Sequence, residues 1–384
     1  MDTVVRRLSE TIRDAASQNR GLRIRGGGTK DFYGEALRGE VLDVGQYRGI
    51  VQYEPTELVI TARGGTPLAE VEATLRERGQ MLAFEPPHFG EVPSPLTDPS
   101  RASRLSPSGE GNVVPSERKG RMATLGGCVA AGLSGPRRAH AGAVRDFVLG
   151  VRILDGTGQD LRFGGQVMKN VAGYDVSRLM AGSLGTLGVL LEVSLKVLPI
   201  PPAEATLRLA CSAGEAITLM NQWSGRPLPI TATSWRDGRL DVRLSGALPA
   251  VESAIAKIGG TRIDPGEAGA FWAGIREQTD PYYVGEPPLW RLSVKPTTPP
   301  LSLPGETLIE WGGALRWLKS RAEAPAIRDA ARAAGGHATL FRAGDKSAGA
   351  FHPLPEGLMA THRRLKQAFD PAGILNPGRL YADL

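Results

Sequence analysis

Three separated glycine clusters constrain this chain more than any other feature. They are Arg25-Gly26-Gly27-Gly28-Thr29-Lys30, the run from Ala123 to Gly135 that contains Thr124, Gly126, Gly127, Ser134 and Gly135, and Gly182-Ser183-Leu184-Gly185-Thr186-Leu187-Gly188. A glycine leaves its backbone bare, so each cluster lets main chain approach a flat or charged ligand closely. Taken singly, each also fits a tight turn or a close-packed helix pair. One extended ligand touching all three accounts for them together.

The first cluster follows a short strand, Leu22 to Arg25, and places several amides in a tight turn without side chains, a cradle suited to a diphosphate. It is not a phosphate loop of the GxxxxGK[ST] kind. After Gly28 the chain reads Thr-Lys-Asp-Phe-Tyr-Gly with no helix pattern, so the helix N-terminus that holds pyrophosphate in the nicotinamide-binding folds is missing.

The surrounding periodicity is mixed. Val5, Leu8, Ile12 and Ala15 share one face of an N-terminal helix, and strands follow at 41–44, 50–53 and 58–62. Thr66 is placed to cap a helix that begins at Pro67 and stops before Gly79. Residues 91–121 carry repeated Pro and Ser with no periodic apolar face and read as a surface loop. A small-residue helix at 123–133, a hairpin joining 147–154 to 161–163 through Asp155-Gly156-Thr157-Gly158, and a strand at 189–197 lead to Pro199-Ile200-Pro201-Pro202, which marks a domain boundary. Beyond it the glycine clusters stop. Strands at 207–210, 230–233, 240–244 and 290–294 alternate with helical stretches such as 250–258 and predict an antiparallel α+β second domain. Helices at 324–334 and 355–369 precede an extended Pro/Gly-rich end, 369–380.

Several functions are disfavoured. Cys128 and Cys211 are the only cysteines of the 384 residues, far apart and outside any CxxC, which argues against a structural zinc or an iron-sulfur cluster on this chain and fits a reducing compartment. The net charge of +6 is spread without a long basic block, so nucleic acid is a poor partner. No stretch reaches the roughly 20 apolar residues of a membrane span, and the N-terminus lacks the apolar core of a signal peptide. A cytoplasmic protein, reaching a membrane only through partners, is expected.

In order and spacing the glycine segments resemble the flavin-binding domain of the vanillyl-alcohol oxidase and p-cresol methylhydroxylase superfamily. More closely, QYRGIVQYEPTELVITARGGTPL, VRDFVLGVRI, FGGQVMKNVAGYDVSRLM, EWGGALRWLKS, GGHAT and LNPGR are similar to the FAD-binding small-subunit family of bacterial glycolate oxidases, over about Gly26 to Leu384. The resemblance implies an α+β chain with a two-subdomain FAD-binding domain at 1–202, an antiparallel cap domain at 203–323, and a C-terminal stretch, 324–384, returning to the flavin domain. It implies FAD contacts from Gly26, Gly27, Gly28, Thr29, Lys30, Thr124, Gly126, Gly127, Ser134, Gly135, Asp146, Gly188 and Val189. It also implies oxidation of glycolate, with D-lactate as a related substrate, in a complex with a larger flavin subunit and an iron-sulfur subunit.

The chain departs from its relatives at informative places. Where covalent members of the superfamily carry a flavin-linking histidine in the first glycine loop, it has Thr29, which implies dissociable FAD. Leu184 stands where many relatives have Glu. The His-x-Gly-Asp-Gly-Asn-x-His segment of 2-hydroxy-acid enzymes is reduced here to His337 and a later Gly344-Asp345, so no metal site is expected. His337 is the candidate base, although a packing or capping role also fits it. Arg316 is a candidate fork for a substrate carboxylate, with an ordinary ion pair as the alternative, and Asn376 is a candidate for lining the ring. A chain that binds FAD only for electron relay or assembly, with glycolate oxidised on the larger subunit, is the competing expectation.

Overall fold

The computed structural model describes residues 2–90, 121–165 and 175–384. The expected loop at 91–121, save Arg121, and the whole of the Lys169-Asn170-Val171-Ala172-Gly173-Tyr174 motif lie outside them.

The first domain is built in two parts. Alternating apolar residues form a five-stranded antiparallel sheet in the order Ile50–Glu54, Val59–Arg63, Val189–Lys196, Val148–Leu154, Asp160–Gly164. The helices Leu68–Arg76 and Leu125–Ala131 pack on it through Leu68, Val71, Leu75, Leu125 and Val129, all fully buried. Thr66 does not cap the first of these helices. Pro67 occupies the N-cap, and the Thr66 hydroxyl instead bonds main chain of Gly49, accepting from its amide at 2.9 Å and donating to its carbonyl at 3.2 Å.

The second part is smaller. Leu22–Arg25 and Glu40–Asp43 form a parallel pair, covered by the helix Thr3–Ser17 through Val5, Leu8, Ile12 and Ala15. The C-terminal segment joins it as a third edge. Leu22 donates to Ile374 O at 2.7 Å and Asn376 donates to Leu22 O at 2.8 Å. This return is fixed by Asp370, whose buried carboxylate accepts from the amides of Ile374 and Leu375 and pairs with Lys366 at 2.7 Å.

Downstream lies an eight-stranded antiparallel sheet. Its hairpin Ile230–Arg236 to Arg239–Gly246 turns at Asp237 and Gly238, both with positive φ, as a two-residue type I′ loop requires. One face is covered by the helices Ala213–Ser224, Leu248–Ile258 and Ala324–Ala333. The strand His337–Arg342, from the segment expected to pack on the flavin domain, is instead the outer strand of this sheet, paired with Leu289–Ser293. Only the chain beyond it, with the helix Glu356–Phe369, returns to the first domain. The opposite face meets the first domain along an aromatic seam that joins Tyr33, Phe89 and Leu133 to Tyr283, Trp311, Trp317 and Phe341.

Candidate functional site: a glycine-walled cleft

The two parts of the first domain flank an open cleft lined by all three glycine clusters together with Asn376 and Arg379. Its floor is made by chain segments that only glycine lets meet. A Cβ on Gly26 would lie 2.4 Å from Thr124 Oγ1, and one on Gly27 would lie 1.6 Å from Met122 O. Gly126 packs on Gly64, its amide donating to Gly64 O at 2.8 Å. Thr124 caps the helix Leu125–Ala131, accepting from Gly127 N at 3.3 Å.

The first loop is the electrophilic part of the cleft. Among the described residues, none of the five main-chain amides from Gly26 to Lys30 donates to a protein acceptor. Thr29 is buried and its four neighbours are part-exposed on the wall of the cleft, so the row is open to an anionic ligand. Side chains add positive charge. Arg25 lines the cleft, held by Asp31 at 2.8 Å, with its buried Nε unpartnered. Lys30 Nζ reaches only Thr29 Oγ1 at 3.3 Å and His88 O at 3.2 Å, with no carboxylate in ion-pair range among the described residues, and burial lowers its pKa. Bare glycine walls, free amides and an unneutralised ammonium together fit the dinucleotide diphosphate of FAD.

The C-terminal segment holds the cleft together. The Asn376 carboxamide accepts from Ile24 N at 2.7 Å and donates to Leu184 O at 2.5 Å, tying the first strand to the third glycine loop. Arg379 donates to the carbonyls of Asp31, Tyr33 and Glu35, fixing the turn after Lys30, and burial brings its pKa down to about 10. Leu184 adopts φ +51°, a strained choice for a branched residue, and donates to Ala130 O at 2.8 Å.

The other expected site residues are distributed differently. Gly188 lines the cleft, while Val189 is buried in the core behind it. Ser134 and Gly135 line a separate cavity at the domain seam. There Ser134 Oγ accepts from Val144 N and Gly135 O accepts from Trp311 Nε1 at 3.1 Å. Asp146 accepts from Ala143 N at 2.8 Å and caps a short helix instead of facing the cleft.

Arg316 is 2% exposed and donates to the carbonyls of Gly313 and Thr298, both at 2.8 Å. Its cross-strand partners Leu292 and Ile309 belong to the helix-covered face, so strand alternation turns Arg316 away from the first domain and Trp317 toward it. His337 is exposed at the start of its strand, opposite Ser293, and does not line the cleft. Among the described residues no group of His, Cys, Asp and Glu is arranged to hold a metal.

Sequence reasoning did not find the salt-bridge cluster that joins the domains. Glu85 binds Arg243 at 2.8 Å and Arg137 at 3.3 Å, and Glu204 binds Arg137 at 3.3 Å. Glu277 of the cap likewise accepts from the amides of His88 and Phe89, both at 2.9 Å. Partners separated by 52 to 189 residues leave no local pattern.

The chain matches the family model described as an FAD binding domain over residues 4–92, and that of the C-terminal domain of FAD linked oxidases over residues 353–380. It is 49% identical over 377 residues to the glycolate oxidase subunit GlcE of Escherichia coli K12, covering 98% of this chain and 97% of that protein. To the glycolate oxidase subunit GlcD of Bacillus subtilis it is 39% identical over 87 residues, 23% of this chain and 18% of that one. Among solved structures it superposes on p-cresol methylhydroxylase with a TM-score of 0.63 at 14% identity, covering 99% of this chain and 87% of that one. That likeness establishes the shared fold.

Proposed function

Since the chain belongs to the family of the glycolate oxidase subunit GlcE, and so is an FAD-binding subunit of that oxidase, we propose that its FAD lies in the glycine-walled cleft and serves the oxidation of glycolate to glyoxylate. The row of free amides from Gly26 to Lys30 carries this assignment. FAD supplies the two-electron acceptor that a 2-hydroxy acid requires. The chain's own residues position and neutralise. The first-loop amides, Lys30 and Arg25 take the diphosphate, the bare faces of Gly126, Gly127, Gly185 and Gly188 admit the rest of the molecule, and Asn376 and Arg379 keep the two walls in register.

Among the described residues no His, Cys or Tyr lines the cleft, and we read the binding as reversible. Flavin should therefore leave the polypeptide when the purified protein is precipitated with acid, and yellow colour retained in the pellet would refute non-covalent attachment. The partners we propose are a larger flavin subunit and an iron-sulfur subunit, with membrane contact made through them.

A second reading, electron relay or assembly without oxidation on this chain, is favoured by the placement of Arg316 and His337 outside the cleft. Anaerobic addition of glycolate to the isolated, FAD-loaded chain separates the two. Bleaching near 450 nm supports oxidation here, whereas bleaching only after the larger subunit is added supports the relay.

A further inference from the structure

A second, open groove runs between the turn after the first glycine cluster, residues 31–38, the loop 342–349 that follows the outer strand of the cap sheet, and residues 378–383 of the C-terminus. Lys346 lines it. Its Nζ donates to the carbonyls of Phe32 and Gly34, the second at 3.0 Å, and no carboxylate lies in ion-pair range among the described residues. The Glu35 carboxylate is engaged instead by the Ala350 amide at 2.6 Å. An ammonium held by neutral carbonyls alone gains no counter-charge, and burial, Arg379 and Arg342 bring the amine down to about 8 against the pull of Glu35. At pH 7 roughly a tenth of it is neutral, against less than about a thousandth of an ordinary lysine.

The two carbonyls suit the neutral form as well as the charged one. A neutral amine has two N–H bonds and one lone pair; Phe32 O and Gly34 O take the N–H bonds, which leaves the lone pair unengaged on a side chain that lines the groove. A desolvated lysine beside other cations is the form in which lysine adds to carbonyl compounds. Arg38, exposed on the same groove, forms no ion pair or hydrogen bond among the described residues, and its fork suits a carboxylate. An electrophile that also carries a carboxylate meets both groups, and oxidation of glycolate makes one. We propose that Lys346 captures glyoxylate as a reversible imine, with the glyoxylate carboxylate held by Arg38. The proposal rests on the reading that glyoxylate is made in this complex. Nζ adds to the aldehyde carbon, the aldehyde oxygen leaves as water with two protons from the ammonium, and a protonated C=N bond replaces the C=O bond, so no oxidant or reductant enters. Glycolate has no carbonyl and cannot react, so the site separates product from substrate. The imine nitrogen keeps one N–H, and at least one of the two carbonyls of the turn loses its donor on capture.

The test is reductive trapping. The full, FAD-loaded chain is mixed at pH 7 with glyoxylate and sodium cyanoborohydride, which turns an imine into a stable carboxymethyl amine, and the labelled lysines are found by peptide mass spectrometry. Lys346 should be labelled at least about tenfold faster than the exposed Lys257. Propanal, an aldehyde without a carboxylate, should show a preference for Lys346 over Lys257 that is about tenfold smaller, and Arg38→Gln should reduce the preference shown by glyoxylate by a similar factor while leaving that of propanal unchanged. Equal labelling of Lys346 and Lys257, an equal preference with propanal, or an unchanged preference in Arg38→Gln would overturn the proposal. Because glyoxylate is supplied directly, these failures leave the functional reading untouched. Labelling of Lys346 by added glyoxylate, in an assembled complex that forms no glyoxylate from glycolate, overturns the functional reading and sustains the site.

Discussion

The cluster around Glu85 gives a quantitative handle on how the two domains stay together. Glu85 and Arg137 come from the first domain, Arg243 and Glu204 from the second, and the side chains of Glu85, Arg137 and Arg243 are 16%, 7% and 5% exposed. Burial alone would raise the Glu85 carboxyl, but Arg243 and then Arg137 more than offset it and hold the pKa below the usual carboxylate range. In Glu85→Gln two guanidiniums stay at the seam with only the half-exposed Glu204 near them. Removing one partner of a buried pair costs about 3–5 kcal/mol. With an unfolding entropy near 2.1 cal/mol/K per residue, that is a fall in melting temperature of about 4–6 °C if the domains unfold together. Scanning calorimetry at pH 7 measures it directly. Because the folded pKa is depressed, the Glu85 contribution is present above the unfolded value, about 4.3, and is lost as pH falls through the folded value. The gap between wild type and Glu85→Gln should therefore be full at pH 7 and close below about pH 4. A variant that melts within about 1 °C of wild type at pH 7, or a gap that widens on acidification, would refute this account.

Three further outcomes follow from the same geometry. Gly27→Ala should weaken FAD binding about tenfold or more, read by quenching of flavin fluorescence, because the new methyl displaces the Met122 carbonyl and with it the first-loop amides. Arg316→Met should lower stability by about 2–4 kcal/mol in urea, through two buried carbonyls left unmet, while the ratio of FAD to protein stays unchanged; lost flavin would return Arg316 to the site. Glu310, raised to about 7 by burial, contributes stability that is present below its unfolded pKa and lost as pH rises through 7. Wild type should thus be less stable at pH 8 than at pH 6, Glu310→Gln should flatten that decline, and an equally steep decline in the variant would count against it.

What the sequence made legible was local. Bare glycines at 26–28, 126–127, 185 and 188 mark their own close approaches, and the alternation of 189–196 reveals a strand without knowledge of its neighbours. Arg316 shows the limit. Leu315, Trp317 and Leu318 surround it with apolar residues on both sides of the strand, so the pattern does not say which face meets the first domain, and only the register with Leu292 and Ile309 decides. The helix Pro265–Glu277 was hidden for another reason. Asp264 and Pro265 form a good start signal, but Gly266, Gly269 and Gly274 depress its helix propensity.

The return of residues 370–379 to the first strand has a consequence for the order in which the protein is made. The glycine loops lie within the first half of the chain, yet Asn376 and Arg379 fasten the walls between them. Synthesis runs from the N-terminus, and early domains generally fold as they emerge. Here the clasp follows the second domain in the chain, so the cleft of the first domain closes only after that domain has been synthesised. A prematurely terminated chain would keep every glycine cluster and still lack the clasp that retains FAD.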